Sequence, residues 1–431
     1  MEHIALIIVI VLLFGMLLIG APVVMAIGTA ALTYFFIKPG MTASLVVYAH
    51  RLFTGMDSFI YLCIPLFMLS GNLMGKTGLM DKVVDFCKIF VGRLRGGVAY
   101  VNVLASMLFG GISGSALADI AALGPIEISL MESDGYDRDF SAALTATSAI
   151  QGPVIPPSIP AVMFASLTSV SVGAMFVGGL GPGILLGIAQ ILVIYVIGRK
   201  KGFPKGDYHY TVKEAVKITL SSLSAIFMIV LILGGIVSGL FTATEAAAVS
   251  VAYVLILGLI VYRNLTLKDI WDSILETATG CASIFLIIGF TQIISWILAM
   301  ENVPAMINNL VTTTGMSPYL LLFIVNIFFL FNGMWISDSA QLILFAPIFT
   351  PIFMRMGVSA IHFGVVMVVN GLITPPYGVG LYTVASVSGC ELKKIVKASL
   401  PFTGACIAVL FLITYIPELV LTIPRLLGYV V

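Results

Sequence analysis

Apolar positions in this chain run in unbroken blocks rather than alternating with polar ones. Stretches near the ~20 residues that cross a bilayer as a helix recur at about 4–20, 23–37, 59–75, 180–198, 218–240, 243–262, 280–299 and 400–424. Two more, 140–178 and 360–387, carry the pattern across an interruption. A further pair, 98–131 and 319–354, is long enough to span but is broken near the middle by polar residues. The short alternating strands of a membrane barrel are absent. Helices are then the structure that satisfies every backbone polar group inside lipid, so the pattern predicts an all-α polytopic membrane protein. The segment Ile4 to Ile19 lacks a basic leader and a cleavage pattern, and reads as a retained span. The longest polar connection, about 199–217, is too short for a soluble domain.

Basic residues orient the spans. With Arg199, Lys200 and Lys201 on the cytoplasmic side, 17 of the 21 Lys and Arg fall there. Lys38, Arg51, Arg355 and Arg425 fall outside. The count closes only if 98–131 and 319–354 do not cross. Each then enters and leaves on one side, which makes them re-entrant hairpins of opposite orientation, with both termini periplasmic.

The two halves echo each other. Gly152-Pro153-Val154-Ile155-Pro156-Pro157 matches Gly371-Leu372-Ile373-Thr374-Pro375-Pro376 at an offset of 219. Gly114 meets Gly333, Asp119 meets Asp338 and Pro182 meets Pro401 at that same offset, while Phe140 and Phe363 sit 223 apart. This predicts two inverted repeats, each with a re-entrant hairpin and an interrupted helix. The resulting division is 1–58 (N-terminal scaffold helices), 59–198 (first repeat), 199–279 (scaffold helices and a connecting arm) and 280–431 (second repeat).

Composition agrees: 60% of residues are hydrophobic, 10% are charged, and the mean hydropathy is +1.14. A net charge of +1 gives no reason to expect nucleic acid. Cys63, Cys87, Cys281, Cys390 and Cys406 are scattered without a CxxC, and read as small buried hydrophobes. The four histidines have no zinc or haem spacing. Gly71-Asn72-Leu73-Met74-Gly75-Lys76-Thr77 resembles a phosphate loop but is one residue short between its glycines. No catalytic triad, kinase signature or dinucleotide fingerprint is present, so the chain reads as a non-enzyme driven by an ion gradient or a partner.

The candidate chemistry lies where the apolar pattern breaks. Paired interrupted helices near the midplane are where secondary transporters build their sites. The hairpin tips are Gly110-Gly111-Ile112-Ser113-Gly114-Ser115 and Phe331 through Ser339; the breaks are the two G-x-x-x-P-P segments. Proline frees a carbonyl one turn earlier. Such carbonyls, with Ser, Thr, Asn and Asp oxygens, suit a small hard cation, and half-helix N-termini suit an anion. Asp338, flanked by Ser337 and Ser339, is the sharpest signal, because an acid at a helix centre in lipid costs about 2.5–3.5 kcal/mol. Ser113 and Ser115 also read as small packing residues. Asp119 can cap or pair locally, and Thr242–Glu245 reads as a capping box.

Over nearly its whole length the chain resembles the large membrane subunit of tripartite ATP-independent periplasmic (TRAP) transporters. The carrying residues are IPLFMLSGNLM (64–74), GGISGSALAD (110–119), GPVIPPS (152–158), FTATEAAAV (241–249), HFGVVMVVN (362–370) and LITPPYG (372–378). The resemblance implies an elevator-type ion transporter in the bacterial inner membrane. It implies a small four-helix membrane subunit, separate or fused and here expected as a separate polypeptide, a periplasmic substrate-binding protein, and sodium influx driving uptake of an organic acid. It implies one sodium site at Ser113, Ser115, Gly152 and Pro156, and a second at Asn332, Asp338, Gly371, Thr374 and Pro375. Substrate would lie between the tips, near Ser113, Ser115, Ser158, Ser337, Asp338 and Ser339. The run Tyr377-Gly378-Val379-Gly380-Leu381-Tyr382 points toward a sugar acid such as sialic acid ahead of a C4-dicarboxylate. The competing readings are a passive anion channel or facilitator and a membrane-embedded enzyme. A pore needs a continuous lined path, which hairpins and breaks do not supply. An enzyme needs a paired acid and base or a metal cluster.

Overall fold

A computed structural model describes residues 4–38, 45–206, 208–334, 336–370 and 379–431. Among these the chain is helical throughout, with no strand beyond an isolated Arg95–Lys205 bridge. The first helices are α1 (Ile4–Leu18), α2 (Val23–Ile37), α3 (Leu45–Met56), α4 (Cys63–Lys76) and α5 (Leu79–Val91). The first hairpin is α6 (Gly97–Ser113), a two-residue tip, then α7 (Ala116–Ala122) and α8 (Gly124–Ser133). The first broken helix is α9 (Arg138–Ser148) and α10 (Ile159–Thr168), followed by α11 (Val172–Lys201). Then come α12 (Val212–Val237), α13 (Ala243–Ile256), α14 (Leu267–Met300) and α15 (Val303–Thr314). The second hairpin is α16 (Pro318–Asn332) and α17 (Asp338–Arg355). The second broken helix is α18 (Ala360–Val369) and α19 (Val379–Ser388), followed by α20 (Leu392–Tyr415) and a short α21 (Glu418–Leu426).

Six helical segments are long and apolar enough to cross a membrane: 59–76, 172–201, 212–237, 243–261, 267–300 and 392–415. Local chemistry sets their starts. Thr211, Thr242 and Thr266 each cap a helix and exchange hydrogen bonds with an acid three residues on. This reciprocal arrangement satisfies two otherwise orphaned donors. The expected Thr242–Glu245 capping box is one of the three.

Several bounds differ from the apolar pattern. The run 140–178 holds α9, α10 and the start of α11, because α10 stops at Thr168 and Ser169 turns the chain through the left-handed region (φ 58°) before α11 begins at Val172. The span expected at 180–198 is the later part of α11. The span expected at 400–424 is most of α20 plus the separate α21. The division at 198/199 falls inside α11 and that at 279/280 inside α14. The signal was hidden in each case because the apolar run continues through the turn or because charges sit on the first or last helical turns.

The halves pack reciprocally. Helix α10 of the first packs on α17 of the second, and α19 of the second packs on α7 of the first. Likewise α9 packs on α20, and α18 on α11. The inversion is visible in what lines each face. On one face the start of α9 (Asp137, Arg138), the end of α11 (Lys200, Lys201) and the start of α20 (Glu391, Lys394) surround one groove, and Arg138 donates to the Ser388 carbonyl at 2.8 Å. On the other, the turn Ser169–Ser171, both ends of the second hairpin (Pro318, Met354) and the start of α18 surround another. The first hairpin therefore opens to the basic face and the second to the opposite face. Helices α11 and α20 run in opposite directions.

The remaining helices form a frame. α14 packs on α2, α3 and α4; α13 packs on α4 and α12. Lys38, just past α2, reaches Glu301 at the end of α14 at 2.6 Å, and the Tyr34 hydroxyl donates to the same carboxylate at 2.6 Å.

Candidate functional site: hairpin tips against broken helices

Gly114 ends α6 in the left-handed conformation (φ +63°), which glycine adopts without strain. A Cβ there would lie 2.5 Å from the Pro157 carbonyl oxygen. A Cβ on Gly110 would lie 2.7 Å from Gly152 Cα, and one on Gly152 would lie 3.3 Å from the Ser115 carbonyl oxygen. The first tip and the first break thus touch backbone to backbone. The backbone of Ile159 closes the junction by donating to the Gly114 carbonyl at 3.4 Å. Ser113, Ser115, Gly152 and Pro156 are brought together, since the Pro156 carbonyl faces Gly111.

The side chains at this junction are oxygen donors. The Ser115 N–H points at Ser113 Oγ at 3.4 Å, and Ser115 Oγ caps α7 by accepting from the Ala118 N–H at 3.4 Å. Ser158 caps α10, accepting from the Ala161 N–H at 3.1 Å and donating to the Pro153 carbonyl. Its hydroxyl proton is therefore committed to the Pro153 carbonyl. Every residue from Phe140 to Ala165 is buried, which is the condition under which non-helical backbone is tolerated at membrane depth.

The second tip is longer. α16 ends at Asn332, whose amide donates to the Phe328 carbonyl at 2.8 Å. Ser337 caps α17, accepting from the Ala340 N–H at 3.4 Å. Asp338 is the first residue of α17 and is half-buried, with the backbone N–H and hydroxyl of Ser339 in hydrogen-bonding reach of its carboxylate. Gly371, Thr374 and Pro375 lie outside the described residues, so the second sodium set is seen only in its Asn332 and Asp338 members. At the end of α18, Asn370 donates to Asn326 of α16 at 2.9 Å, and Asn326 donates to Thr414 at 2.9 Å.

One expected equivalence is corrected. Asp119 is the fourth residue of α7, whereas Asp338 is the first of α17. The second tip, Gly333 to Ser337, is three residues longer than Gly114–Ser115, so the 219 offset that aligns the first arms does not align the second ones. The structural counterpart of Ser115 is Ser337, and the two aspartates hold different positions.

Helices α7 and α10 both begin at the first junction, where the Ile159 N–H meets the Gly114 carbonyl; α10 runs to the opposite face, as does α17 from the second tip, and α7 runs toward the basic face. Their N-terminal partial positive charges lie at the tips. Among the described residues no Lys or Arg is buried. The half-helix ends are therefore the positive potential that an anion would meet.

Sequence reading missed a buried polar network behind the first tip. Asn102 donates to Glu127 at 2.9 Å and to Thr145 at 2.7 Å, and Ser148 donates to the Asn102 carbonyl oxygen at 2.8 Å. Ser106 donates to Ser148 at 3.1 Å. Gln190 of α11 braces the break by donating to the Thr147 carbonyl at 2.8 Å and accepting from Gln151 at 3.0 Å. One sequence signal was available: Glu127 is an acid inside the apolar arm of a hairpin.

Comparison with known proteins agrees with this geometry. Residues 10–419 match the family described as "Tripartite ATP-independent periplasmic transporter, DctM component". The chain is 36% identical to the sialic acid TRAP transporter large permease protein SiaM of Vibrio cholerae, covering 96% of this chain and 97% of that one. It is 38% identical to the C4-dicarboxylate TRAP transporter large permease protein DctM of Pseudomonas aeruginosa, covering 93% of each. It is 36% identical to the sialic acid TRAP transporter permease protein SiaT of Haemophilus influenzae, covering 99% of this chain and 68% of that one. Among solved structures, the Alcanivorax borkumensis YdaH transporter superposes with a TM-score of 0.65 at 14% identity, over 95% of this chain and 98% of that one, and so shares the fold. A multi-pass helical chain with two hairpins set against two broken helices, matched from residue 10 to residue 419, belongs to the DctM component of the tripartite ATP-independent periplasmic transporters.

Proposed function

We propose that this TRAP transporter large permease imports an organic acid across the bacterial inner membrane, driven by sodium, with the basic face cytoplasmic and both termini periplasmic. The observation that carries the reading is the backbone contact between the first tip and the first break. It gathers Ser113, Ser115 and the carbonyls around Gly152 and Pro156 into a set of hard oxygens without a neutralising base. That chemistry favours a small cation. Asn332 and Asp338 begin a second set. Two cations at these sites, with the N-termini of α7, α10 and α17, would hold a carboxylate between the tips. Orientation follows the distribution of basic residues.

The hairpins and broken helices would move as a body against the α2–α4 and α12–α14 frame, carrying cargo in an elevator motion. The binding protein would deliver substrate at the periplasmic face. A small four-helix membrane subunit would support the frame; the share of the Haemophilus permease beyond this chain is consistent with its fusion there. A sugar acid of the sialic acid type leads, with a C4-dicarboxylate next, since relatives named for each are similarly close.

The test is uptake into proteoliposomes holding this chain, its small subunit and its binding protein. Labelled sialic acid should accumulate against its gradient only with sodium outside. Accumulation of succinate instead would change the substrate. Equilibration without accumulation, or uptake unchanged in choline buffer, would replace the reading with a passive facilitator or with another driving ion.

A further inference from the structure

Behind the first tip lie two carboxylates that the tip sites do not use. Asp119 and Glu127 are each 1% exposed. Both oxygens of Asp119, and Oε1 of Glu127, have no hydrogen-bond partner among the described residues. The other Glu127 oxygen is held by Asn102 and Thr145, which aims Oε1 away from that pair. Glu127 and Asp119 lie within electrostatic reach of each other, and Ser106 faces Asp119 where α6 meets α7. Buried carboxylate oxygens without a donor are costly, because desolvation is not repaid. The surrounding residues do not repay it: no Lys or Arg is buried among the described residues.

We infer that Asp119, Glu127 and Ser106 form a further cation site inside the first hairpin, distinct from the tip sites and taking a monovalent hard cation of sodium type. The oxygen-only donor set excludes soft metals. Calcium takes six to eight oxygens, more than the three unpartnered carboxylate oxygens and one hydroxyl assembled here, and no third acidic or imidazole ligand joins them among the described residues. A single positive charge offsets one of two buried negative charges, and the fixed amide of Asn102 supports the other. Ser115 and Asp119 are one turn apart on the same face of α7, so the site sits about 6 Å from the tip along the helix axis, toward the basic face. A cation there fixes the hairpin arm to α9 through Thr145 and Ser148, whether or not substrate is bound. The inference needs no assumption about what is transported.

The experiment uses the full chain in nanodiscs at constant ionic strength, with sodium chloride replaced by choline chloride. The thermal midpoint of wild type should rise with sodium. Ser113→Ala with Asn332→Ala, which disables both tip sites, should keep part of that rise. Adding Asp119→Asn or Glu127→Gln should flatten it. A response unchanged by those two amides would overturn the site and leave the carboxylates as a proton-sharing pair. Counting bound radiolabelled sodium on the Ser113→Ala, Asn332→Ala chain decides the question without touching the carboxylates: one residual equivalent supports the site, and none removes it.

Discussion

Single atoms decide most at the tips. A Cβ on Gly114 would force apart the contact with Pro157 and would strain a left-handed residue at a cost of roughly 1–3 kcal/mol. Gly114→Ala should therefore lower the thermal midpoint and abolish sodium-dependent uptake together. Asp338→Asn should insert and fold normally but lose transport; normal uptake in that variant would remove Asp338 from the site. At this scale the sequence was legible in part. Ser113, Ser115, Gly152 and Pro156 could be named because glycine, serine and proline are conspicuous in a run of leucine and isoleucine. Ser158 was read as a substrate neighbour, and only the structure shows its hydroxyl donating to Pro153. The Asn102–Glu127–Thr145–Ser148 network was not legible, because its members come from three helices and are separated by up to 46 residues along the chain.

Among the elements, the four half-helices give the clearest reading. Helix α10 exists because Ser158 caps it, and loss of such a cap costs about 1 kcal/mol. Ser158→Ala should lower the thermal midpoint while leaving the affinity for labelled substrate within a few-fold of wild type. A large loss of affinity with an unchanged midpoint would return Ser158 to the substrate site. Hairpins and breaks were predictable from where polar residues interrupt apolar runs, and their opposite orientations followed from counting basic residues. The unequal tips were not predictable: three extra residues around Met334 can extend a loop or an arm equally well. Nor was the turn at Ser169, where an apolar stretch conceals a change of direction.

At the scale of the molecule, small residues meet where α4 of the frame touches the first hairpin. A Cβ on Gly71 of α4 would sit 3.3 Å from Ser113 Cβ, and one on Gly75 would sit 3.7 Å from Ala122 Cβ. Small residues permit close packing of helices in lipid, and a face without protruding side chains also permits sliding. Gly71→Leu should block substrate uptake while preserving sodium-dependent stabilisation. Loss of both would mean that α4 shapes the site itself.

Helix α14 runs for 34 residues, about 51 Å at 1.5 Å per residue, against a hydrocarbon core of roughly 30 Å. Even a tilt near 40°, the upper end of what membrane helices show, leaves part of it outside the acyl chains. Its first turns carry Lys268, Asp269, Asp272 and Glu276, yet Leu267 and Trp271 are 82% and 60% exposed. That end belongs to the headgroup layer, while its far end is pinned through Glu301 to Tyr34 and Lys38. The frame is therefore a gauge of bilayer thickness. Reconstituted into lipids of graded acyl length, uptake should pass through a maximum, and Trp271→Ala should broaden it by loosening the grip on the interface.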